Sequence, residues 1–172
     1  RLAAEGVVAE DVARKAVEES AKQKIPLVSF LVQNGIAPAA AVANAASIEF
    51  GVPVVDVRAM DPRVMPLKLV EEKLIQRHKA LPLWKRGNRL YVGVSDPTNL
   101  AALDAIKFAA NSPVEPILVA EDLLERMIDT ALAGVDQLNA GGEEDDEGLT
   151  DLEAEGGDLE DEGGGSTGVD AG

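Results

Sequence analysis

His78 is the only histidine of the chain, and it stands between Arg77 and Lys79. A Ser-His-Asp site needs a nucleophile and an orienting acid around the imidazole, and no serine here sits in a GxSxG turn. A metal centre needs several donors of matched type, and the chain has no cysteine. The absence of cysteine also excludes a thiolate nucleophile and a disulfide framework. His78 reads instead as a helix C-terminal residue near the last carbonyls, where the helix dipole favours positive charge. The run Asp96-Pro97-Thr98-Asn99 has the residue types of an active-site loop, but each type also has a turn role. Asp96 can accept from backbone N–H groups ahead of it, Pro97 fixes φ, and Thr98 can cap the following helix. Trp84, Lys85, Arg86, Arg89 and Tyr91 cluster on one predicted hairpin. Cations beside aromatics can stack on nucleotides; in a near-neutral body they read as a solvated hairpin tip with a core-facing aromatic. No GxxxxGK[ST] segment occurs, so the chain lacks the backbone nest and lysine that grip a nucleoside triphosphate.

The charge has to be divided before it means anything. The 172 residues carry 31 acidic and 16 basic side chains, a net of −15. From Asp136 onward there are 14 of the acids and no Lys or Arg, which leaves 17 acids and 16 bases before it. A body near neutrality offers no general attraction to nucleic acid or to an anionic membrane. No window has the run of about 18 apolar residues that a span needs, and no secretory leader opens the chain. The chain begins at Arg1 rather than Met, which reads as a segment of a longer cytoplasmic protein without membrane insertion of its own.

Three segments must position these residues. Residues 1–50 read as a helical subdomain. Glu10–Asp11 start a helix with Val12, Ala13, Ala16 and Val17 on one face. Leu27, Phe30 and Leu31 mark a short second helix, Asn34-Gly35 stops it, and Pro38 suits the first turn of a third with Ala41, Ala45 and Ile48 as its stripe. A weak internal repeat runs through this segment: Gly6-Val7 and Gly35-Ile36 each open a helix that closes at a hydrophobic-Pro-hydrophobic run, at Pro26 and Pro53.

Residues 51–135 read as βαββαβα. Val52–Val57 is a strand, a helix carries Leu67, Val70 and Leu74, and Leu81–Lys85 pairs with Leu90–Val94 through a hairpin turn. A helix with Leu103, Ile106 and Ala110 inward, the strand Val114–Val119, and a last helix with Leu124, Ile128 and Ala131 follow. The fold class is therefore α+β, a helical subdomain followed by a small mixed sheet covered by helices. Residues 136–172 are acidic and glycine-rich and cannot bury enough surface to offset chain entropy, so they are expected to be a disordered linker.

The segment Pro26–Val57, PLVSFLVQNGIAPAAAVANAASIEFGVPVVDV, is similar to the start of PilB-type and GspE-type secretion ATPases. Arg77-His78-Lys79-Ala80-Leu81-Pro82-Leu83, then Leu90-Tyr91-Val92-Gly93-Val94 and Ser95-Asp96-Pro97-Thr98-Asn99, strengthen that resemblance, which spans about residues 1–134. It implies the N-terminal domain of a type IV pilus assembly ATPase, non-catalytic itself, with ATP and Mg belonging to a hexameric core that this sequence does not include. The implied partners are a PilZ-type adaptor, the inner-membrane pilus platform and that ATPase core, with no nucleic acid. A type II secretion ATPase is the alternative parent, and a direct cyclic di-GMP sensor is the alternative function. The chain also resembles MshE-type cyclic di-GMP receptors, whose paired motifs begin with Arg-Leu-Gly and end in Gln. In the second copy Leu27, Leu31, Val32, Gly35 and Ile36 match. The motif's Arg falls on Pro26, its first Gly on Val28 and its Gln on Glu49, and in the first copy the Gln falls on Ser20. Phosphate and guanine need a cation and close backbone approach, so the scaffold is kept and cyclic di-GMP binding is not expected.

No catalytic, cofactor-binding or metal-ligating residue follows from this reading. Residues 1–50 are rich in alanine and bury little area per side chain. Their larger apolar residues are therefore the partner-binding candidates: Val7, Val8, Val12, Val17, Phe30, Leu31, Ile36 and Ile48.

Overall fold

The computed structural model describes residues 1–140, with side-chain surroundings as far as Asp136. Beyond Ala140, the acidic linker expected from composition lies outside the described residues.

Three helices open the chain: α1 (Glu10–Gln23), α2 (Leu27–Gln33) and α3 (Ala39–Phe50). Glu10 and Asp11 sit in the first turn of α1, where the dipole favours them. The internal repeat is visible in the backbone. α1 ends at Lys24 with φ 57° and α3 at Gly51 with φ 66°, and in each case a proline follows two residues later, Pro26 or Pro53. Pro38 is the cap residue just before α3. Val8, Phe30, Leu31 and Val42 bury against Ala16 and Ala37 to form a small core.

The run from Val52 to Val57 is not a strand. It meets the sheet at one parallel bridge, Val54 to Leu118, made by Val55 N–H donating to Leu118 O at 2.9 Å and Leu118 N–H donating to Pro53 O at 2.8 Å. It then turns away at Asp56, whose carboxylate accepts from the Arg58 N–H at 3.0 Å. Asp61 does the same for Arg63 at 2.9 Å. Three short 3₁₀ turns, Val57–Ala59, Pro62–Val64 and Leu67–Leu69, replace the expected start of a helix, because Pro62 and Pro66 supply no N–H for an α-helical ladder. Leu67 and Val70 are buried as the apolar spacing implied, but regular helix begins only with α4 (Glu72–His78).

From there the order follows the sequence reading. β1 (Leu81–Arg86) and β2 (Arg89–Val94) form an antiparallel hairpin, α5 (Leu100–Ala110) crosses over, and β3 (Val114–Leu118) lies parallel to β2. The sheet order is β1-β2-β3. Gly87 at φ 59° makes the two-residue turn, as the handedness of a tight hairpin requires. Leu90, Val92 and Val94 all face the core. A bulge between Pro82 and Trp84 shifts the register, so that Leu81, Pro82 and Leu83 are buried in succession. α6 (Glu121–Ala140) closes the core with Leu124, Ile128 and Ala131, and its helix continues past Asp136.

Burying one large apolar side chain is worth about 1.5–3 kcal/mol. The α/β core holds Ile75, Leu81, Leu83, Leu90, Ile106, Leu118 and Leu124 fully buried, so most of the stabilisation lies there. The small helical core has few such residues. Contacts of α2 and α3 with α6, and of α3 with β3, attach it to the stronger part.

Candidate functional site

An open groove runs between α1, α2 and α3. Its volume is about 340 Å³, and its walls are almost wholly apolar: Val17 and Ala13 from α1, Leu27, Val28 and Leu31 from α2, and Val42, Ala45, Ala46 and Phe50 from α3. The α3 side follows from spacing. Positions 42, 45, 46, 49 and 50 share one helical stripe, and its Glu49 stands at the groove rim with Arg1, whose Nη1 lies 3.6 Å from the Glu49 carboxylate.

The eight candidate partner residues divide on burial. Val8, Phe30 and Leu31 are 6%, 7% and 4% exposed; they form the small core beneath the groove, because α1 to α3 have little else large enough to fill it. Ile36 is half-buried against the same cluster. Val7, Val12, Val17 and Ile48 are exposed at 36%, 37%, 52% and 58%. Of these four only Val17 lines the groove. Two residues outside the candidate set complete it: Leu27, and Phe50, which is 52% exposed. Phe50 next to Gly51 reads as a helix end, and only the stripe through Val42 and Ala46 places it on the groove face.

The residues singled out for chemistry are engaged in structure. Asp96 accepts from the Thr98 N–H at 2.9 Å and from its hydroxyl at 2.6 Å. The cap of α5 is Asn99, accepting from the Ala102 N–H at 3.2 Å, and not Thr98, whose hydroxyl is spent on Asp96. Trp84 and Tyr91 stack on each other, with centroids 5.0 Å apart and planes at 18°, and Arg89 pairs with Glu115 at 3.0 Å. His78 ends α4. With Arg77, Lys79, Asp96, Asn99 and Ser29 it lines a hollow of about 310 Å³ and mixed polar and apolar character between α2 and the loop after β2.

One charge constellation joins α4 to α6. Glu121 is 2% exposed, and neither of its carboxylate oxygens has a hydrogen-bond partner. Its nearest cation is Lys79 Nζ at 3.7 Å. Lys79 takes a left-handed backbone at φ 47° after α4 and also donates to Glu125. Burial works against the Lys79 charge, but the ion pairs with Glu125 and Glu121 outweigh it, and its pKa is raised.

The arrangement offers a mostly apolar groove between α1, α2 and α3. The MshEN domain family matches residues 50–137, so the groove helices α1 to α3 almost wholly precede the matched segment. The type IV pilus assembly ATPase PilB of Acinetobacter baylyi is 40% identical over 128 residues, covering 74% of this chain and 22% of that protein. PilB of Pseudomonas aeruginosa is 34% identical over 140 residues, covering 77% of this chain and 25% of that protein. The chain thus spans about a quarter of the length of these relatives. Among solved structures, MshE with cdg matches with a TM-score of 0.59 at 24% identity, over 76% of this chain and 94% of that one. The N-terminal domain of XpsE matches with a TM-score of 0.62 at 20% identity, over 74% and 88%. At those identities the likeness to both structures is one of fold.

Proposed function

The chain belongs to the MshEN domain family, and from that premise we propose that it is the regulatory and docking domain of a type IV pilus assembly ATPase. In this reading it performs no catalysis. It receives a PilZ-type adaptor in the α1–α3 groove and so couples a regulatory signal to a motor that extends the pilus. The inner-membrane platform and the motor's own ATPase core are its further contacts, and it works in the cytoplasm.

The observation that carries the reading is the groove. Val17, Leu27 and Phe50 are exposed on one face at 52%, 37% and 52%, around a hollow that is mostly apolar apart from Arg1 and Glu49 at its rim. Apolar anchors set in a well-shaped hollow are what a protein partner covers. The PilB relatives supply the motor, and the sequence carries no phosphate loop of its own. Among the described residues no helix is long and apolar enough to cross a membrane.

The test is titration of the 172-residue chain with a PilZ-type adaptor by calorimetry. Phe50→Ser and Leu27→Ser should each weaken binding by more than about 1 kcal/mol while leaving the unfolding midpoint close to that of the wild type, since both side chains are already open to water. Full affinity in both variants would remove the groove from the adaptor site.

A further inference from the structure

α5 carries an exposed face with no cover. Phe108 is 90% exposed and Leu100 66%, the two most unusual exposures of large apolar residues besides Val64. With 3.6 residues per turn, Leu100, Asp104, Lys107, Phe108 and Asn111 fall on one side of the helix, and Ala101 joins Phe108 on its flank. The opposite side, Ala102 and Ile106, is buried in the α/β core. Phe108 borders a shallow hollow with Asp104, Lys107, Asn111, Ser112 and Pro113. Asp104 and Lys107 are exposed, and the ion pairs among the described residues involve neither.

The geometry points to a second copy of this chain as the occupant, packed through α5 in antiparallel fashion about a two-fold axis. In a two-fold interface residue i meets j and j meets i. Asp104 and Lys107 satisfy that condition by charge: the acid of each copy meets the base of the other, and both pairs form at once. Ala101 and Phe108 satisfy it by size. They lie on the same flank, so each aromatic ring falls on the small side chain of the other copy. The midpoints of the two pairs along the helix differ by one residue, about 1.5 Å, so a single axis serves both.

The contact is small. A helix face of 11 residues buries well under the roughly 1,200 Å² of a stable interface. The pairing is therefore weak in free solution and gains weight where copies are held close together. The acidic linker also opposes it, since the chain carries a net −15 and like charges repel until salt screens them beyond about 8 Å at physiological strength. This inference is independent of the α1–α3 groove.

Sedimentation velocity of the whole chain at about 0.15 M salt, up to millimolar concentration, reads it. The wild type should show an average mass that rises with concentration toward the dimer. Phe108→Ser should raise the dissociation constant about tenfold or more, with an unchanged circular dichroism spectrum. Asp104→Lys and Lys107→Asp should each weaken association about fivefold, because each makes two like-charge contacts across the axis. The double variant Asp104→Lys/Lys107→Asp should return to the wild-type value, an outcome that a nonspecific sticky patch does not give. A chain that stays monomeric at millimolar concentration, a dimer indifferent to Phe108→Ser, or a double variant no better than the singles would each overturn the proposal.

Discussion

Gly6 and Gly35 hold the same backbone conformation at equivalent points of the internal repeat, with φ of 70° and 65°. Gly6 N–H donates to Ala3 O and Gly35 N–H to Val32 O, both at 3.1 Å. The next residues repeat the match: Val7 N–H donates to Leu2 O at 3.0 Å and Ile36 N–H to Leu31 O at 2.9 Å. Each glycine ends one helical or turn segment and aims the chain into the next helix, α1 or α3.

This equivalence makes a stability prediction. A Cβ at either glycine meets no atom within 4 Å, so an alanine there suffers only from its backbone. A left-handed non-glycine residue costs roughly 1–2 kcal/mol. Gly35→Ala should lose about that much in urea unfolding, and Gly35→Asn should lose less, because Asn tolerates this region. Equal loss for Ala and Asn would mean that something other than φ is being read.

A second prediction concerns Asp56, where the chain leaves the sheet. The Arg58 side chain, and then its backbone N–H, hold the Asp56 carboxyl down to about 2. Its folded pKa lies below the ordinary value of about 3.9. Its contribution to stability is therefore present above that value and is lost as the pH falls through it toward 2. An NMR titration of the side-chain carboxyl should have its midpoint near 2, and Arg58→Ala should move it back up. A midpoint unmoved by Arg58→Ala would show that the pair is not formed in solution.

Asp56 also marks where the sequence stopped being legible. Leu90, Val92 and Val94 alternate with polar or small residues, and that period placed them on one buried face. Leu124, Ile128 and Ala131 were legible at helical spacing for the same reason. Val52–Val57 has the composition of a strand but makes one bridge, because whether an apolar run pairs depends on where the next turn sends it. The Asp-x-Arg triplets at Asp56 and Asp61, with Pro62 and Pro66, are the local signals that break this region into 3₁₀ turns. The site was legible in part. Apolar type put Val8, Phe30 and Leu31 in the same set as Val17, yet periodicity cannot say which residues of a small alanine-rich core are left over for the surface. Phe50 shares the helical stripe of Val42 and Ala46, but that this stripe lines a groove shows only once α1, α2 and α3 are placed around it.

The third prediction follows from the buried Glu121. Removing Lys79 leaves a carboxylate that is 2% exposed without its nearest cation, and an uncompensated buried group costs about 1–3 kcal/mol. Lys79→Met should therefore destabilise the fold by that order, while Glu121→Gln should cost clearly less and should rescue much of the loss in the double variant. With the Lys79 pKa raised, its contribution is complete below the ordinary lysine value of about 10.4 and fades as the pH rises above it. The wild type should lose stability on that alkaline side more steeply than Lys79→Met. Additive single and double variants, or parallel alkaline profiles, would show that the pair is not coupled.

The last prediction concerns cyclic di-GMP. A dinucleotide carries two phosphates, and binding them takes cations or free N–H groups at close range. The positions where the receptor motif would supply these are occupied otherwise. Pro26 caps α2 and has no N–H to give. Val28 is half-buried in the apolar wall. Ser20 is 5% exposed, and its hydroxyl donates to Val17 O at 3.0 Å within α1. Glu49 brings a negative charge to the rim and already faces Arg1 at 3.6 Å. The groove walls are therefore mostly apolar, and at the rim the Arg1 cation is already engaged by Glu49. Calorimetry of the 172-residue chain with cyclic di-GMP should find no binding as tight as about 1 µM, or about −8 kcal/mol. The double variant Pro26→Arg/Glu49→Gln should bind more tightly than the wild type, because it restores one cation and removes one repulsive charge. Micromolar binding by the wild type would mean that phosphate is held by groups outside this groove, and the adaptor reading would then give way to a direct sensor.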